Sequence, residues 1–209
     1  MATVLYIESS PRKARSHSIA VATAFLEAYR ASHEGDTIEK LDLWNTDLPA
    51  FDGAMLEAKY AIMHGQPHTP EQADAWRRVT SMFQQFQSAD KYVFSLPMWN
   101  FGIPYRLKQY IDIITQPGLA FSFSPSEGYK GLVTGKPAVV IYASGGIYSE
   151  GSGAESFDLQ KPYMKLWLSF IGFTDIHALV VEGTLQGPDV AAKNQAQAIE
   201  QAKRLAQVV

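Results

Sequence analysis

Cysteine is missing from all 209 residues of this chain. Its absence excludes a disulfide framework, a thiolate metal site and thiol redox chemistry, so any electron transfer requires a bound cofactor. An excess of positive charge is lacking too. The chain has 18 Lys and Arg against 21 Asp and Glu, a net charge of −3 and a pI near 5.9. Its basic residues are scattered and do not form the clustered face that nucleic acid requires. No apolar run approaches the ~20 residues that span a bilayer. The N-terminus passes from Met1-Ala2-Thr3 straight into Val4-Leu5-Tyr6-Ile7, without the basic region, apolar core or small-residue cleavage site of a secretion signal. Composition does not shift along the chain, so the expectation is a single domain over residues 1–209, cytoplasmic, without a membrane or nucleic-acid partner.

Strand-like and helical segments alternate. Val4 to Ile7 is a continuous apolar run of the kind buried on both faces, followed by the polar stretch from Glu8 to Arg12. Beyond Ser18, Ala22, Phe25, Leu26 and Tyr29 keep a 3.6-residue period, predicting a helix capped near Ser16. Thr37 to Leu43 reads as a second strand and Asn45 to Phe51 as a loop. Helices follow over Ala54–Met63 and Pro70–Gln87, the latter opened by Pro and Glu as a helix start prefers. Tyr92–Leu96, Pro137–Ala143 and Thr174–Val181 read as further core strands. Helices are expected over Pro104–Thr115, Ser156–Gly172 and Pro188–Ala206, and a short inserted hairpin over Ala120–Leu132. Crossover helices between strands imply a parallel sheet covered on both sides. The fold class is α/β: a flavodoxin-like three-layer sandwich whose five parallel strands run in the order 2-1-3-4-5.

Three loops leave the carboxyl ends of core strands, where open parallel sheets bind ligands. The first runs from Ser9 to Ser18. Ser10, Ser16 and Ser18 offer hydroxyls beside a helix start, Arg12 and Arg15 offer charge, and His17 lies among them, so a phosphate is the expected guest. The alternative is a simple helix cap with solvated arginines. The Gly-x-Gly-x-x-Gly fingerprint is missing, which favours a monophosphate over a pyrophosphate. The second loop is Pro97-Met98-Trp99-Asn100-Phe101-Gly102-Ile103-Pro104. It places flat apolar side chains beside backbone N–H groups, with two prolines stiffening the run and Gly102 permitting close approach. Its aromatics are either core residues at a strand end or the wall of a planar heterocycle with carbonyl edges, which points to a flavin. The third, Ala143-Ser144-Gly145-Gly146-Ile147-Tyr148, is either a flexible turn or a double glycine whose N–H groups meet developing negative charge.

Other constellations fail. His64 and His68 are four apart, but Gly65 and Pro67 break the helix that would align them, so no metal site is expected. Gly131-x-x-x-Gly135-Lys136 is one residue short of a phosphate loop and precedes a strand, and Ser144 lacks the flanking glycines of a nucleophile elbow.

With these motifs in hand, the chain resembles the FMN-dependent NADH-azoreductases, flavodoxin-like enzymes related to NAD(P)H quinone reductases. The likeness rests on Ser10 and Ser16-x-Ser18, on Pro-Met-Trp-Asn-Phe at 97–101, on Gly-Leu-Val-Thr-Gly-Lys at 131–136, on Gly145-Gly146 and on Gly-Phe-Thr-Asp at 172–175. It implies that Ser10, Arg12 and Ser16 to Ser18 hold an FMN phosphate, that Pro97 to Phe101 line the isoalloxazine, and that Ala143 to Gly146 meet its pyrimidine side. It further implies a homodimer with FMN near the subunit interface, with Phe123 and Trp167 in a substrate wall formed either within one subunit or across the dimer, and Asn100 and Tyr148 as candidate catalytic groups, Tyr148 being equally readable as an ordinary loop tyrosine. NADH or NADPH would donate a hydride and a quinone or azo compound would accept electrons at the same place, which predicts ping-pong kinetics. Trp99 stands where the family commonly has Tyr, and Ser144 where some relatives have Arg. A non-enzymatic flavodoxin-type carrier is the rival reading. Its disadvantages are the near-balanced charge and the inserts at 44–68 and 117–134, long enough to wall a pocket for small molecules.

Overall fold

The structure, a computed structural model, describes residues 1–209. Five parallel strands form the central sheet: β1 (Thr3–Glu8), β2 (Thr37–Asp42), β3 (Lys91–Pro97), β6 (Ala138–Ala143) and β7 (Ile176–Val181), in the spatial order β2-β1-β3-β6-β7. An antiparallel hairpin, β4 (Phe121–Ser124) and β5 (Gly128–Gly131), stands apart. Counting core strands alone, this is the expected 2-1-3-4-5 order. The helices are α1 (His17–Ser32), α2 (Gly53–Met63), α3 (Pro70–Ser88), α4 (Tyr105–Ile114), α5 (Gln160–Ile171) and α6 (Pro188–Leu205). None is long and apolar enough to cross a membrane.

The sheet separates two cores. On β1, Leu5 and Ile7 enter a cluster of 28 buried residues that includes Val79, Phe83 and Phe86 of α3, Leu107 and Ile111 of α4, and Met164 and Leu168 of α5. Val4 and Tyr6 point the other way, into a cluster of 16 with Val21, Phe25 and Tyr29 of α1 and Ala198 and Ala202 of α6. β6 divides likewise, Ala138, Val140 and Tyr142 against Val139 and Ile141. Because side chains alternate faces with period two, a strand covered on both sides must be apolar throughout. Thr69 and Gln72 form a capping box at α3, with Pro70 in the first turn.

Two boundaries differ by more than one residue from the sequence reading. The helix expected from Ser156 begins at Gln160, after a single 3₁₀ turn at Glu155–Phe157. Asp158 sets this start, since its Oδ1 accepts the backbone N–H groups of Gln160 and Lys161, each at 3.0 Å. The strand expected from Thr174 begins at Ile176.

Candidate functional site

Parallel pairing brings the carboxyl ends of β1, β3 and β6 to one rim, with Glu8 opposite Ser95 and Pro97 opposite Ala143. Backbone bonds carry the registers one residue past the strands, from Ser9 N–H to Ser95 O at 3.0 Å, Met98 N–H to Ala143 O at 2.7 Å and Ser144 N–H to Val181 O at 2.9 Å. The chain leaves β1 toward β2 on one side and returns to β3 on the other, so the first two loops face each other across the switch point of the sheet.

A cavity of about 170 Å³ lies there. It is walled by Ser10, Arg12, Ser16 and His17 of the first loop, Pro97, Met98 and Trp99 of the second, Ala143, Ser144 and Gly145 of the third, and Thr184 and Leu185 after β7. Ser16 Oγ caps α1 by accepting the Ile19 N–H at 3.5 Å. The N–H groups of His17 and Ser18, at the first turn of α1, have no protein acceptor. Ser18 is fully buried, its hydroxyl 3.1 Å from Ser16 Oγ, and stands one step behind the cavity. His17 Nδ1–H donates to Gln195 Oε1 at 2.5 Å, fixing the ring, while Arg12 and Arg15 are exposed. Buried hydroxyls, free helix N–H groups and an unpaired guanidinium form a donor-rich set of the kind that holds a phosphate monoester.

Asn100 and Phe101 lie beyond the cavity wall, at the tip of a two-residue turn. Trp99 and Gly102 exchange both backbone hydrogen bonds at 3.0 Å, and Asn100 (φ 46°) and Phe101 (φ 71°) are both left-handed, as in a type I′ turn. A phenylalanine held this way costs ~1 kcal/mol or more. It is restrained by the Leu159 N–H donating to Phe101 O at 3.0 Å and by Phe157, whose ring centroid is 5.5 Å away. The close approach expected of Gly102 is corrected: the unusual backbone belongs to its two neighbours, and Gly102 opens onto a different hollow. The Asn100 N–H has no protein acceptor, and neither do those of Gly145 and Gly146. These free donors on two facing loops match a heterocycle with carbonyl edges. Tyr148 packs against Gly146, its hydroxyl 3.1 Å from the point a Cβ there would occupy.

Two elements of this site carry no sequence motif. Trp44, just after β2, donates its indole N–H to Ser9 O at 2.8 Å and lies 5.7 Å from Trp99, centroid to centroid. Its only signal is a tryptophan in a polar loop at a strand's carboxyl end. The loop after β7 clamps the third loop, with the Thr184 N–H and Oγ1 both donating to Ser144 O (3.1 and 3.0 Å) and the Leu185 N–H to Gly145 O (3.2 Å). A Cβ at Gly145 would lie 2.7 Å from Leu185 Cδ1, the end of an exposed side chain that would have to turn aside.

The two residues expected in a substrate wall are not brought to the cavity. Trp167 is 5% exposed, packs edge-on to Phe94 at 5.9 Å and donates its indole N–H to Thr115 Oγ1 at 2.9 Å. On this chain it is a core residue, because α5 turns that position toward the sheet. Phe123 is 60% exposed on the hairpin, against Tyr129. The insert at 117–134 therefore packs on α5 through Phe121 and Phe170 and does not wall the cavity. A separate, shallower hollow of about 620 Å³ adjoins the turn, lined by Phe51, Gly102, Ile103, Tyr105, Lys108, Gln109, Asp112, Leu159 and Tyr163.

Comparison with known proteins agrees with this geometry. A family model described as flavodoxin-like fold matches residues 2–206. The FMN-dependent NADH:quinone oxidoreductase of Nitratidesulfovibrio vulgaris strain Hildenborough is 53% identical over 207 residues, 99% of each chain. FMN-dependent NADH:quinone oxidoreductase 9 of Burkholderia lata is 47% identical over 209 residues, again 99% of each. Among solved structures, an azoreductase from Bacillus anthracis strain Sterne superposes with a TM-score of 0.92 at 33% identity over the whole of both chains. An FMN-dependent NADH-azoreductase from Bacillus anthracis strain Ames Ancestor, in complex with FMN, superposes with a TM-score of 0.88 at 32% identity, covering 99% of this chain and 100% of that one. By sequence along its whole length and by architecture, this chain belongs to the family of flavodoxin-like FMN-dependent NADH:quinone oxidoreductases and NADH-azoreductases.

Proposed function

We propose that the chain is an FMN-dependent oxidoreductase that takes electrons from a reduced nicotinamide, NADH in the first place, and delivers them to a quinone or an azo compound. The observation that carries this reading is the meeting of three sequence-distant loops, with their unpartnered N–H groups, around one cavity at the sheet's switch point. Ser10, Ser16, Arg12 and the N–H groups of His17 and Ser18 hold the phosphate. Met98, Trp99 and Trp44 flank the ring, and the amides of Asn100, Gly145 and Gly146 donate to its carbonyl edge. Bound FMN supplies the chemistry of accepting a hydride and passing two electrons on. The protein orients, excludes water and holds fixed donors where negative charge collects. Tyr148, whose hydroxyl packs against Gly146, is our candidate to give a proton to the acceptor. With a pyridine nucleotide as donor, the place of work is the cytoplasm.

A flavodoxin-type carrier shares the cofactor but needs a reductase protein. Purified, FMN-loaded protein is expected to oxidise NADH unaided with a quinone or an azo dye, giving parallel double-reciprocal lines when donor and acceptor are both varied. No turnover without an added reductase protein would return the chain to the carrier class.

The working unit is a homodimer. Leu159 at the start of α5 and Tyr163 and Leu166 on it follow one another at helical spacing; Leu166 is 69% exposed, and Leu159 and Tyr163 line the hollow beside the Asn100–Phe101 turn with Tyr105. A second copy covering this face would bring side chains toward the turn at Asn100 and Phe101. Leu166→Glu is expected to convert the dimer to monomers in size-exclusion chromatography with light scattering and to lower turnover more than FMN affinity; an unchanged dimer places the interface elsewhere.

A further inference from the structure

One charge network, built around the buried Glu8 next to the site, has no part in the roles above. Lys13 follows Arg12 in the first loop and holds φ 49°, a backbone conformation that L side chains rarely adopt. Its Nζ donates to Glu8 Oε1 at 2.8 Å and to both Asp42 oxygens at 2.5 Å. All three ammonium protons therefore have carboxylate acceptors, and Lys13 offers none to a phosphate. Glu8 is 1% exposed at the end of β1, opposite Asp42 in register, and its second oxygen pairs with Lys40 Nζ at 2.6 Å. Asp42 also accepts the Trp44 N–H at 3.1 Å and Asn45 Nδ2–H at 2.6 Å, while the Trp44 indole N–H reaches back to Ser9 O. Burial by itself would push the Asp42 carboxyl up, but the bonds from Lys13, Trp44 and Asn45 outweigh it and hold the group below the usual carboxylate range.

We propose that Asp42 and Lys13 are a positioning pair that locks the phosphate loop and the Trp44 wall into one arrangement, so that the grip on the phosphate and the fit of the ring are set by a single carboxylate. The inference rests on the FMN reading and deepens it. Asp42 is the one group tied to both parts: through Lys13 it holds the left-handed residue of the anion loop, and through Trp44 it holds the indole that packs on Trp99. Simple electrostatics makes the opposite forecast, because two carboxylates this close to the phosphate loop repel a phosphate dianion and removing one should strengthen binding. The sign of the effect therefore decides.

The test strips the flavin from the purified protein and titrates FMN and riboflavin back by fluorescence quenching, with melting curves alongside. Asp42→Asn is expected to weaken FMN by about tenfold despite losing a negative charge, and to weaken riboflavin as well, because the wall is released. Lys13→Ala is expected to weaken FMN by about tenfold while riboflavin stays within about twofold, since only the phosphate loop is freed. Lys13→Asn, which tolerates the left-handed backbone, is expected to recover part of the FMN affinity. The proposal is overturned if Asp42→Asn binds FMN as tightly as the parent or more so. It is also overturned if Lys13→Ala weakens both flavins equally in step with its melting point, the mark of a purely structural role. A parent protein that takes up neither flavin overturns the FMN reading itself, which the riboflavin arm distinguishes from a failure of the pair.

Discussion

Replacing Ser16 with aspartate is expected to leave the fold intact and abolish FMN binding. Ser16 has two tasks that this substitution separates. As N-cap of α1 it accepts the Ile19 N–H, and aspartate caps helices as well as serine does. As part of the anion cradle it lies beside Ser10, Arg12 and the free N–H groups of His17 and Ser18, where a carboxylate takes the place of the phosphate and repels it. FMN affinity should fall by at least about a hundredfold, since a like charge in a partly buried cradle costs several kcal/mol. Riboflavin, which carries no phosphate, should still bind. Ser16→Ala is the counterpart: it removes the cap at ~1 kcal/mol of stability and weakens FMN only modestly. Calorimetric titration of both variants with both flavins measures the pattern. Undiminished FMN binding by Ser16→Asp would mean that the phosphate lies elsewhere.

The second large effect is on stability. Gly131→Ala is expected to cost about 3–5 kcal/mol, because a Cβ at Gly131 would lie 2.3 Å from both Gly172 N and Ile171 C, where the hairpin meets the end of α5. Both neighbours are backbone, and Gly172 is itself held at φ 119° with Val133 O at 2.9 Å from its own would-be Cβ, so neither side can give way. For a domain of this size the melting point should drop by roughly 10 °C. Gly135→Ala is the control, with φ 73° but open space around the position; it should cost only ~1 kcal/mol, the strain of a left-handed alanine. Equal melting points for the two variants would show that the hairpin can move away from α5.

The order of the sheet was legible because its three central strands are buried on both faces and so are largely apolar, while each helix shows its own period; Val4–Ile7 and Pro137–Ala143 need little else. The convergence of the loops followed from topology, since parallel strands must deliver all their carboxyl ends to one rim. What escaped has physical reasons. Thr184 and Leu185 join the cavity, and Trp44 packs on Trp99 beside it, from loops whose residue types mark nothing, and only the register of β7 and β2 brings them in. The left-handed pair at 100–101 is invisible because asparagine and phenylalanine, not glycine, adopt it under restraint from Leu159 and Phe157. Trp167 was misplaced because an aromatic on an amphipathic helix looks the same from the sequence whether it turns inward or outward. The helix boundary at Gln160 was encoded after all, in Asp158 as its cap and Pro162 in its first turn.

The bond from Leu159 to Phe101, together with the tilted packing of Phe157 against the same residue, joins the turn after β3 to the stretch of chain between β6 and α5. Changes at residues 157–159 would therefore be felt at the Asn100–Phe101 turn, although none of the three pairs in the sheet.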